Sequence, residues 1–172
     1  MIDLVYSGAR IYLDNYDYLL NNVFMFDWES DLFGISKSGY AVEIEIKISR
    51  GDYFQDFKKP KHKLFEEGQQ LDNVPNKFIY ACPEGLIDPA EIPEYAGLIY
   101  TGTKYSSFSV RKAPPFIHKN KIDFTERLLS KYYNTSINTR SRINELIYEI
   151  NQYSLTEDEI KAKLKNIIKK LK

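Results

Sequence analysis

The clearest pattern in the chain is an alternation of apolar and charged residues between positions 42 and 48. The segment VEIEIKI places β-branched residues at the even positions and Glu43, Glu45 and Lys47 at the odd positions. A period of two is typical of a β-strand, because successive side chains of a strand point to opposite faces of the sheet. The pattern therefore predicts a strand with one apolar face and one charged face.

A β-hairpin is predicted immediately before this strand. Its turn is Lys37-Ser38-Gly39, and the preceding strand begins near Asp31. A three-residue loop with Gly39 in the left-handed conformation sets Asp31 opposite Glu45, on the face that also carries Lys47. This hairpin would bring two carboxylates and an ammonium group together at one point.

The rest of the chain alternates between helical and strand patterns. The predicted elements are a helix over 8–22, a strand over 23–28, a helix from Ser49 that breaks near Lys59 because of Pro60, strands over 77–82, 96–101 and 108–112, and helices from Asp123 onward. This order predicts the α/β class. We expect a mixed α+β sheet flanked by helices, followed by a C-terminal α-helical extension.

The composition and net charge of the chain limit where the protein can act and what it can bind. The chain has 172 residues and a formal net charge of zero, so any surface that binds nucleic acid must be local. A single cysteine, Cys82, excludes an internal disulfide and is typical of a reducing compartment. No signal-peptide pattern is present, and no apolar run approaches the ~20 residues that span a bilayer. These features predict a cytoplasmic protein with no membrane partner.

The candidate residues also resemble a known family. Asp31 followed by Glu45-Ile46-Lys47 resembles the signature of the PD-(D/E)XK nuclease superfamily, although Ser30 stands where the family name has proline. The run EIKISRGDYFQDFKKPKH, which begins at Glu45, is similar to small phage and bacterial members, including candidate DNA-repair endonucleases. The segments NKFIYACPEGLI, IPEYAGLIY and VRKAPPFIHK resemble later parts of those proteins. The resemblance covers about residues 10–118.

The resemblance implies both an architecture and an activity. Residues 1–118 would form a restriction-endonuclease-like core, and residues 119–172 a helical extension that packs on the core or on a partner. The activity would be metal-dependent hydrolysis of DNA phosphodiester bonds in DNA repair, recombination or phage DNA processing. The partners would be DNA and, through the C-terminal helices, a second copy of the chain or another protein.

The resemblance also implies roles for individual residues. Asp31 and Glu45 would hold Mg²⁺ or Mn²⁺, because hard divalent cations prefer oxygen ligands. Lys47 would orient or polarise the attacking water and stabilise negative charge on the phosphorane. Glu29 and Glu43 are acidic neighbours, and Glu29 is the additional candidate metal ligand. Together these residues predict a magnesium-dependent catalytic site.

A basic cluster follows the candidate site and consists of Lys58, Lys59, Lys61, His62 and Lys63. On one exposed helix face these side chains would contact DNA phosphates. The same composition is also typical of a solvated helix end, where lysine favours the C-terminus. The sequence leaves both interpretations open.

Alternatives also remain open for the site and for the function. A Glu-Ile-Glu-Ile-Lys strand can simply have a solvated charged face, with ion pairing across the strands accounting for Lys47. The function would then be that of a catalytically inactive nucleic-acid-binding or assembly module of phage or mobile-element origin. A protein that docks on a partner through its C-terminal helices is a third alternative.

Overall fold

The computed structural model describes the backbone of residues 2–102, 107–153 and 156–170. Within these ranges the chain forms a sheet of six strands together with five α-helices. In chain order they are α1 (Ile2–Tyr12), β1 (Tyr18–Val23), β2 (Ser30–Ile35), β3 (Ala41–Ile46), α2 (Arg50–Asp56), α3 (Lys61–Glu67), β4 (Lys77–Pro83), β5 (Ala96–Thr101), β6 (Phe108–Lys112), α4 (Thr125–Tyr153) and α5 (Glu157–Lys170).

The sheet is mixed, and its strands lie side by side in chain order. β3, β4 and β5 are parallel, whereas the other neighbouring pairs are antiparallel. β3 lies between β2 and β4, and every residue of β3 is buried. The prediction of a mixed α/β sheet with flanking helices and a C-terminal helix is confirmed.

The two faces of the sheet are covered by different helices. Val5 and Ala9 of α1 pack with Ile44 of β3 on one face. Tyr53 of α2 and Phe65 of α3 pack on the other face against aromatic side chains of β4. Burying each such large apolar side chain contributes roughly 1.5–3 kcal/mol. The helices α2 and α3 therefore cover the face that carries the charged residues of β3.

The hairpin between β2 and β3 has the predicted turn. Gly39 has a φ of +79°, which is the left-handed conformation. Leu32 lies opposite Ile44 in the antiparallel register, so continuing the register places Asp31 opposite Glu45. A side chain at position 39 would strain the turn, because residues with a Cβ atom rarely adopt this conformation.

The predicted break in the helix after Ser49 is also confirmed. The Ser49 hydroxyl accepts a hydrogen bond from the backbone N–H of Asp52 at 3.1 Å and caps α2. α2 ends at Asp56, and α3 begins directly after Pro60. A proline disrupts the hydrogen bonding of a helix interior, so the single predicted helix becomes two short ones.

The helix predicted over 8–22 and the strand predicted over 23–28 are wrong. α1 ends at Tyr12, and the following strand begins at Tyr18 and ends at Val23. Asp14 and Asn15 favour a turn because their side chains compete for nearby backbone groups. The segment after them gains a hydrogen-bonded ladder with β2, and this tertiary pairing outweighs the local helical pattern.

The chain divides into two compact units, Met1–Ile122 and Asp123–Lys172. In the second unit, a capping box between Thr156 and Glu159 begins α5. α4 leaves large apolar side chains exposed: Leu129, Tyr132, Tyr133, Ile137, Ile143, Ile147 and Tyr148. The contact of this region with a second copy or a partner stays a prediction.

None of the described helices combines the length and the apolar character needed to cross a membrane.

Candidate active site

The charged face of β3 is not a solvated face. The exposed fractions of Glu43, Glu45 and Lys47 are 0%, 3% and 3%. Glu43 lies opposite Phe78 and Glu45 opposite Tyr80 in β4, so both carboxylates share a face with the buried aromatic side chains of that strand. These three side chains are buried, so the interpretation of β3 as a strand with a solvated charged face is wrong. A buried charge needs a partner to offset its lost hydration.

Asp31 lies at the start of β2, beside the end of β3. Its Oδ2 accepts a hydrogen bond from the backbone N–H of Ile46 at 2.7 Å. Burial raises the pKa of Asp31 to about 6, and the negative charge of Glu45 adds to this shift, although the Ile46 N–H and nearby lysines oppose it. The two carboxylates are thus close enough to repel each other, and a bound cation would relieve that repulsion.

A cavity of about 280 Å³ brings the candidate catalytic residues together. Asp31, Glu45 and Lys47 all line it, and so do Asp52 and Lys59. Apolar side chains from α1 and from the end of β3 complete much of the wall. The structure therefore brings the three catalytic candidates to one cavity, at the carboxyl end of β3.

The ammonium group of Lys47 is held by carboxylates from two elements. Its Nζ donates to Oε1 of Glu45 and to Oδ1 of Asp56, both at 3.1 Å. Oδ1 of Asp52 lies 3.6 Å away. Buried ion pairs with good geometry order the side chains that form them, so Lys47 has a defined position at the cavity wall.

Both carboxylate oxygens of Glu45 already have cationic partners. Oε1 lies 3.1 Å from Nζ of Lys47 and 2.5 Å from Nζ of Lys59. Oε2 accepts from Nζ of Lys61 at 2.8 Å. A metal ion that binds Glu45 must therefore compete with at least one ammonium group.

Asp56 is the centre of a buried polar network behind Lys47. Its carboxylate accepts from Nζ of Lys47 at 3.1 Å, Nζ of Lys59 at 2.7 Å, Nε2 of His62 at 2.9 Å and the hydroxyl of Tyr80 at 3.0 Å. Burial alone would raise the pKa of Asp56, but the hydrogen bond from His62 and the surrounding lysines outweigh it and lower the pKa. Asp56 therefore stays charged and holds the basic side chains around the cavity.

Sequence reasoning did not assign Asp56 or Asp52 to the site. They lie four residues apart on α2, which places them on one face of the helix. That spacing, directly after a strand with the Glu45-x-Lys47 pattern, is the signal that could have identified them. The sequence predicted a DNA contact for Lys59, whereas its ammonium group also pairs with Glu45, a candidate metal ligand.

The basic cluster does not form one exposed face. Lys58, Lys59 and Lys63 are exposed. Lys61 is 1% exposed and pairs with Glu43 and Glu45, both at 2.8 Å. Although burial opposes it, the charge of these carboxylates raises the pKa of Lys61.

His62 is also buried, with an exposed fraction of 4%. Its Nε2 lies 2.9 Å from Asp56 and its Nδ1 lies 2.8 Å from the hydroxyl of Tyr95. Lys61 and His62 are buried between α3 and the sheet, so the phosphate contacts predicted for these two residues are wrong. Their side chains support the site from within.

The two remaining acidic candidates lie apart from the cavity. Glu29 is exposed and does not line it. Glu43 accepts from the indole N–H of Trp28 at 2.8 Å and from Lys61 at 2.8 Å. The structure does not bring Glu29 to the pair Asp31 and Glu45, and Glu43 is engaged in the buried core.

The carboxylates of Asp31 and Glu45 are suitable ligands for a hard divalent cation. Mg²⁺ is usually held by one or two carboxylates together with water and substrate phosphates, and Asp31 and Glu45 offer two adjacent carboxylates. Across residues 2–102, 107–153 and 156–170, no three His, Cys, Asp or Glu side chains form a ready-made metal cluster. A metal at this site would thus take its remaining ligands from water and from the substrate.

Comparisons with known proteins bear on the fold alone. No family model matches the chain, and no curated protein does. A solved structure of a protein of unknown function from Silicibacter pomeroyi is similar, with a TM-score of 0.55 and 16% sequence identity. The match covers 83% of this chain and 88% of that chain. The chain therefore shares its mixed α/β architecture with that protein.

Proposed function

We propose that the chain is a metal-dependent nuclease that hydrolyses DNA phosphodiester bonds in the cytoplasm. The observation that supports the proposal is that Asp31, Glu45 and Lys47 line one cavity. Two carboxylates and an ammonium group are the side chains that phosphodiester hydrolysis with a hard cation requires. A restriction-endonuclease-like core and a role in DNA repair, recombination or phage DNA processing belong to the same proposal.

In this mechanism Asp31 and Glu45 hold the cation, and Lys47 acts on the reacting phosphate. When bound, Mg²⁺ or Mn²⁺ supplies positive charge that neutralises the phosphate and favours ionisation of the attacking water. Two N–H groups of Lys47 are directed to Glu45 and Asp56. An ammonium has three donors, so one remains for the attacking water or a phosphate oxygen. This hydrogen bond would strengthen as negative charge develops in the transition state.

The exposed lysines offer a path for the DNA strand. A groove of about 700 Å³ is lined by Lys59, Lys63 and Trp28, among other residues. Lys59 also lines the cavity at Asp31 and Glu45, so the groove and the cavity adjoin at this side chain. Lysines along a groove neutralise backbone phosphates without reading the sequence. The proposed strand therefore runs along this groove with one phosphate at Lys47.

A cleavage assay tests the proposal. Linear, supercoiled and branched DNA are incubated with Mg²⁺ or Mn²⁺ and with the wild type, Asp31→Asn, Lys47→Met or the control Lys37→Met. Lys37 is exposed at the hairpin turn and does not line the cavity. We expect the first two variants to lose cleavage by on the order of 10²-fold or more and the control to keep it. Equal cleavage by all four proteins would exclude this site.

One observation favours the alternative of a non-hydrolytic nucleic-acid-binding or assembly module. Both oxygens of Glu45 are paired with lysines, so the protein already neutralises this carboxylate without a metal. The alternative predicts DNA binding in gel-shift experiments, no cleavage with any divalent cation, and unchanged binding in Asp31→Asn. Metal-dependent cleavage that Asp31→Asn abolishes would exclude it.

A further inference from the structure

Among the described residues, three ammonium groups contact Glu45, and they differ in their freedom to move. The side chains of Lys47 and Lys61 are 3% and 1% exposed. The side chain of Lys59 is 45% exposed and extends from the connection between α2 and α3. Removing Lys47 or Lys61 from Glu45 would move a charge within the protein interior, which is costly. Lys59 is thus the partner that can leave Glu45 most easily.

Lys59 also occupies an oxygen of Glu45 that a bound cation would have to share. Its Nζ lies 2.5 Å from Oε1 of Glu45 and 2.7 Å from Oδ1 of Asp56. It lines the cavity that Asp31 shares with Glu45. A divalent ion coordinated by Glu45 would repel an ammonium group on the same oxygen. The two cations therefore compete for one carboxylate.

A second space is available to the displaced side chain. Lys59 lines the groove of about 700 Å³ as well as the smaller cavity, so it lies at the boundary between the two. Glu67 and Asp27 also line the groove. An ammonium group that leaves Glu45 can therefore reach solvent and acidic neighbours without crossing the core.

We propose that Lys59 is an internal counter-ion of the Asp31–Glu45 site, which a divalent cation displaces into the neighbouring groove. Lys59 neutralises Glu45 while the metal is absent and lowers the apparent affinity for the metal. This inference rests on the proposed metal site. It adds that the affinity of the site is set by a competing side chain of the same protein.

Calorimetric titration of the full chain with MnCl₂ alone tests the inference. The proteins are the wild type, Lys59→Gln, Lys59→Met, the control Lys63→Gln and Asp31→Asn. Lys63 is 76% exposed and pairs only loosely with Glu67 at 3.8 Å. We expect both Lys59 variants to bind Mn²⁺ about tenfold more tightly than the wild type, Lys63→Gln to stay within about twofold, and Asp31→Asn to lose binding.

A measurement on the wild type does not depend on how the Lys59 variants fold. The side-chain ammonium groups are observed by ¹⁵N NMR while Mg²⁺ is added, and the Lys59 signal is assigned with Lys59→Arg. We expect this signal to move toward that of a solvated lysine, whereas the Lys47 signal keeps the character of a paired ammonium. A Lys59 signal that does not change as Mg²⁺ saturates the site would overturn the counter-ion role.

The outcomes separate the two proposals. Mn²⁺ binding that Asp31→Asn abolishes but the Lys59 variants leave unchanged or weaken would overturn the counter-ion role and leave the metal site intact. Binding that appears only in the Lys59 variants supports the counter-ion role. If no protein binds Mn²⁺, or Asp31→Asn binds it like the wild type, the metal site fails and the counter-ion role fails with it.

Discussion

The carboxylate of Asp31 accepts the backbone N–H of Ile46, with 2.7 Å between Oδ2 and the nitrogen. Ile46 separates Glu45 from Lys47, so this one bond ties Asp31 to the segment that carries the other two catalytic candidates. The bond engages Oδ2, so in the proposed mechanism Oδ1 is the oxygen that Asp31 offers to a cation. The backbone thus sets the spacing of the acidic pair before any metal binds.

The raised pKa of Asp31 predicts how the stability of the metal-free protein depends on pH. Its folded-state pKa of about 6 exceeds the ordinary value of 3.8, so the folded state binds the proton more tightly. The contribution of Asp31 to the free energy of unfolding is therefore largest below about pH 4 and is lost as pH rises through about 6. Relative to Asp31→Asn, the wild type should lose about 1 kcal/mol between about pH 5 and about pH 7.5, after allowance for partial exposure.

Urea denaturation of both proteins in the presence of a chelator measures this difference. Subtracting the free energies of unfolding of the two proteins at each pH removes the contribution of the other carboxylates, because both proteins contain them. Parallel stability profiles for wild type and Asp31→Asn would contradict the raised pKa. They would also weaken the argument that Asp31 and Glu45 repel each other.

The network around Asp56 predicts a large difference between two aspartates of the same helix. Asp56→Asn removes a buried negative charge that Lys47, Lys59 and His62 share, and we expect the free energy of unfolding to fall by about 3–5 kcal/mol. Asp52→Asn changes a 46% exposed side chain at 3.6 Å from Lys47 and should change stability by less than about 1 kcal/mol. Chemical denaturation at neutral pH compares the two variants. Equal, small effects would show that Asp56 is not the centre of the network.

The two lysines at the ends of the first turn of α3 should differ in the same way. Lys61→Met removes the ammonium group that pairs with the buried Glu43 and with Oε2 of Glu45, so we expect the free energy of unfolding to fall by about 3 kcal/mol or more. Lys63→Met removes only an exposed pair with Glu67 and should cost about 0.5 kcal/mol or less. Thermal and urea unfolding measure both variants. A destabilisation by Lys63→Met as large as that by Lys61→Met would contradict the burial that distinguishes them.

The arrangement of the acidic pair could be predicted from the sequence because local rules determine it. The period of two assigned Glu45 and Lys47 to one face of a strand, and the position of Gly39 set the register of the hairpin. Both rules depend on neighbouring residues alone. The geometry of the candidate site was therefore accessible without knowledge of the rest of the fold.

The partners of that pair could not be predicted, because they depend on how α3 packs. Lysines and histidine in a short basic run usually face solvent, and nothing local shows that Lys61 and His62 turn inward. Their burial follows from Phe65, which anchors α3 against the aromatic side chains of β4. The prediction of a helix over 8–22 failed for a similar reason, since the hydrogen bonds that β1 makes with β2 are not visible in the periodicity of the segment itself.

The division of the basic cluster into exposed and buried members predicts the salt dependence of DNA binding. A lysine that contacts a phosphate contributes about 0.9 to the slope of log affinity against log salt concentration for duplex DNA. Lys63→Ala removes an exposed side chain that lines the groove and should reduce the slope by about that amount, with the same loss of affinity on every DNA sequence. Fluorescence anisotropy of labelled DNA in EDTA, from about 50 to 200 mM salt, measures the slope without cleavage.

Lys37→Ala is the matched control, because this exposed lysine lies at the hairpin turn outside the groove. If Lys37→Ala reduced the slope as much as Lys63→Ala does, the DNA strand would not follow the groove that adjoins the cavity at Asp31 and Glu45.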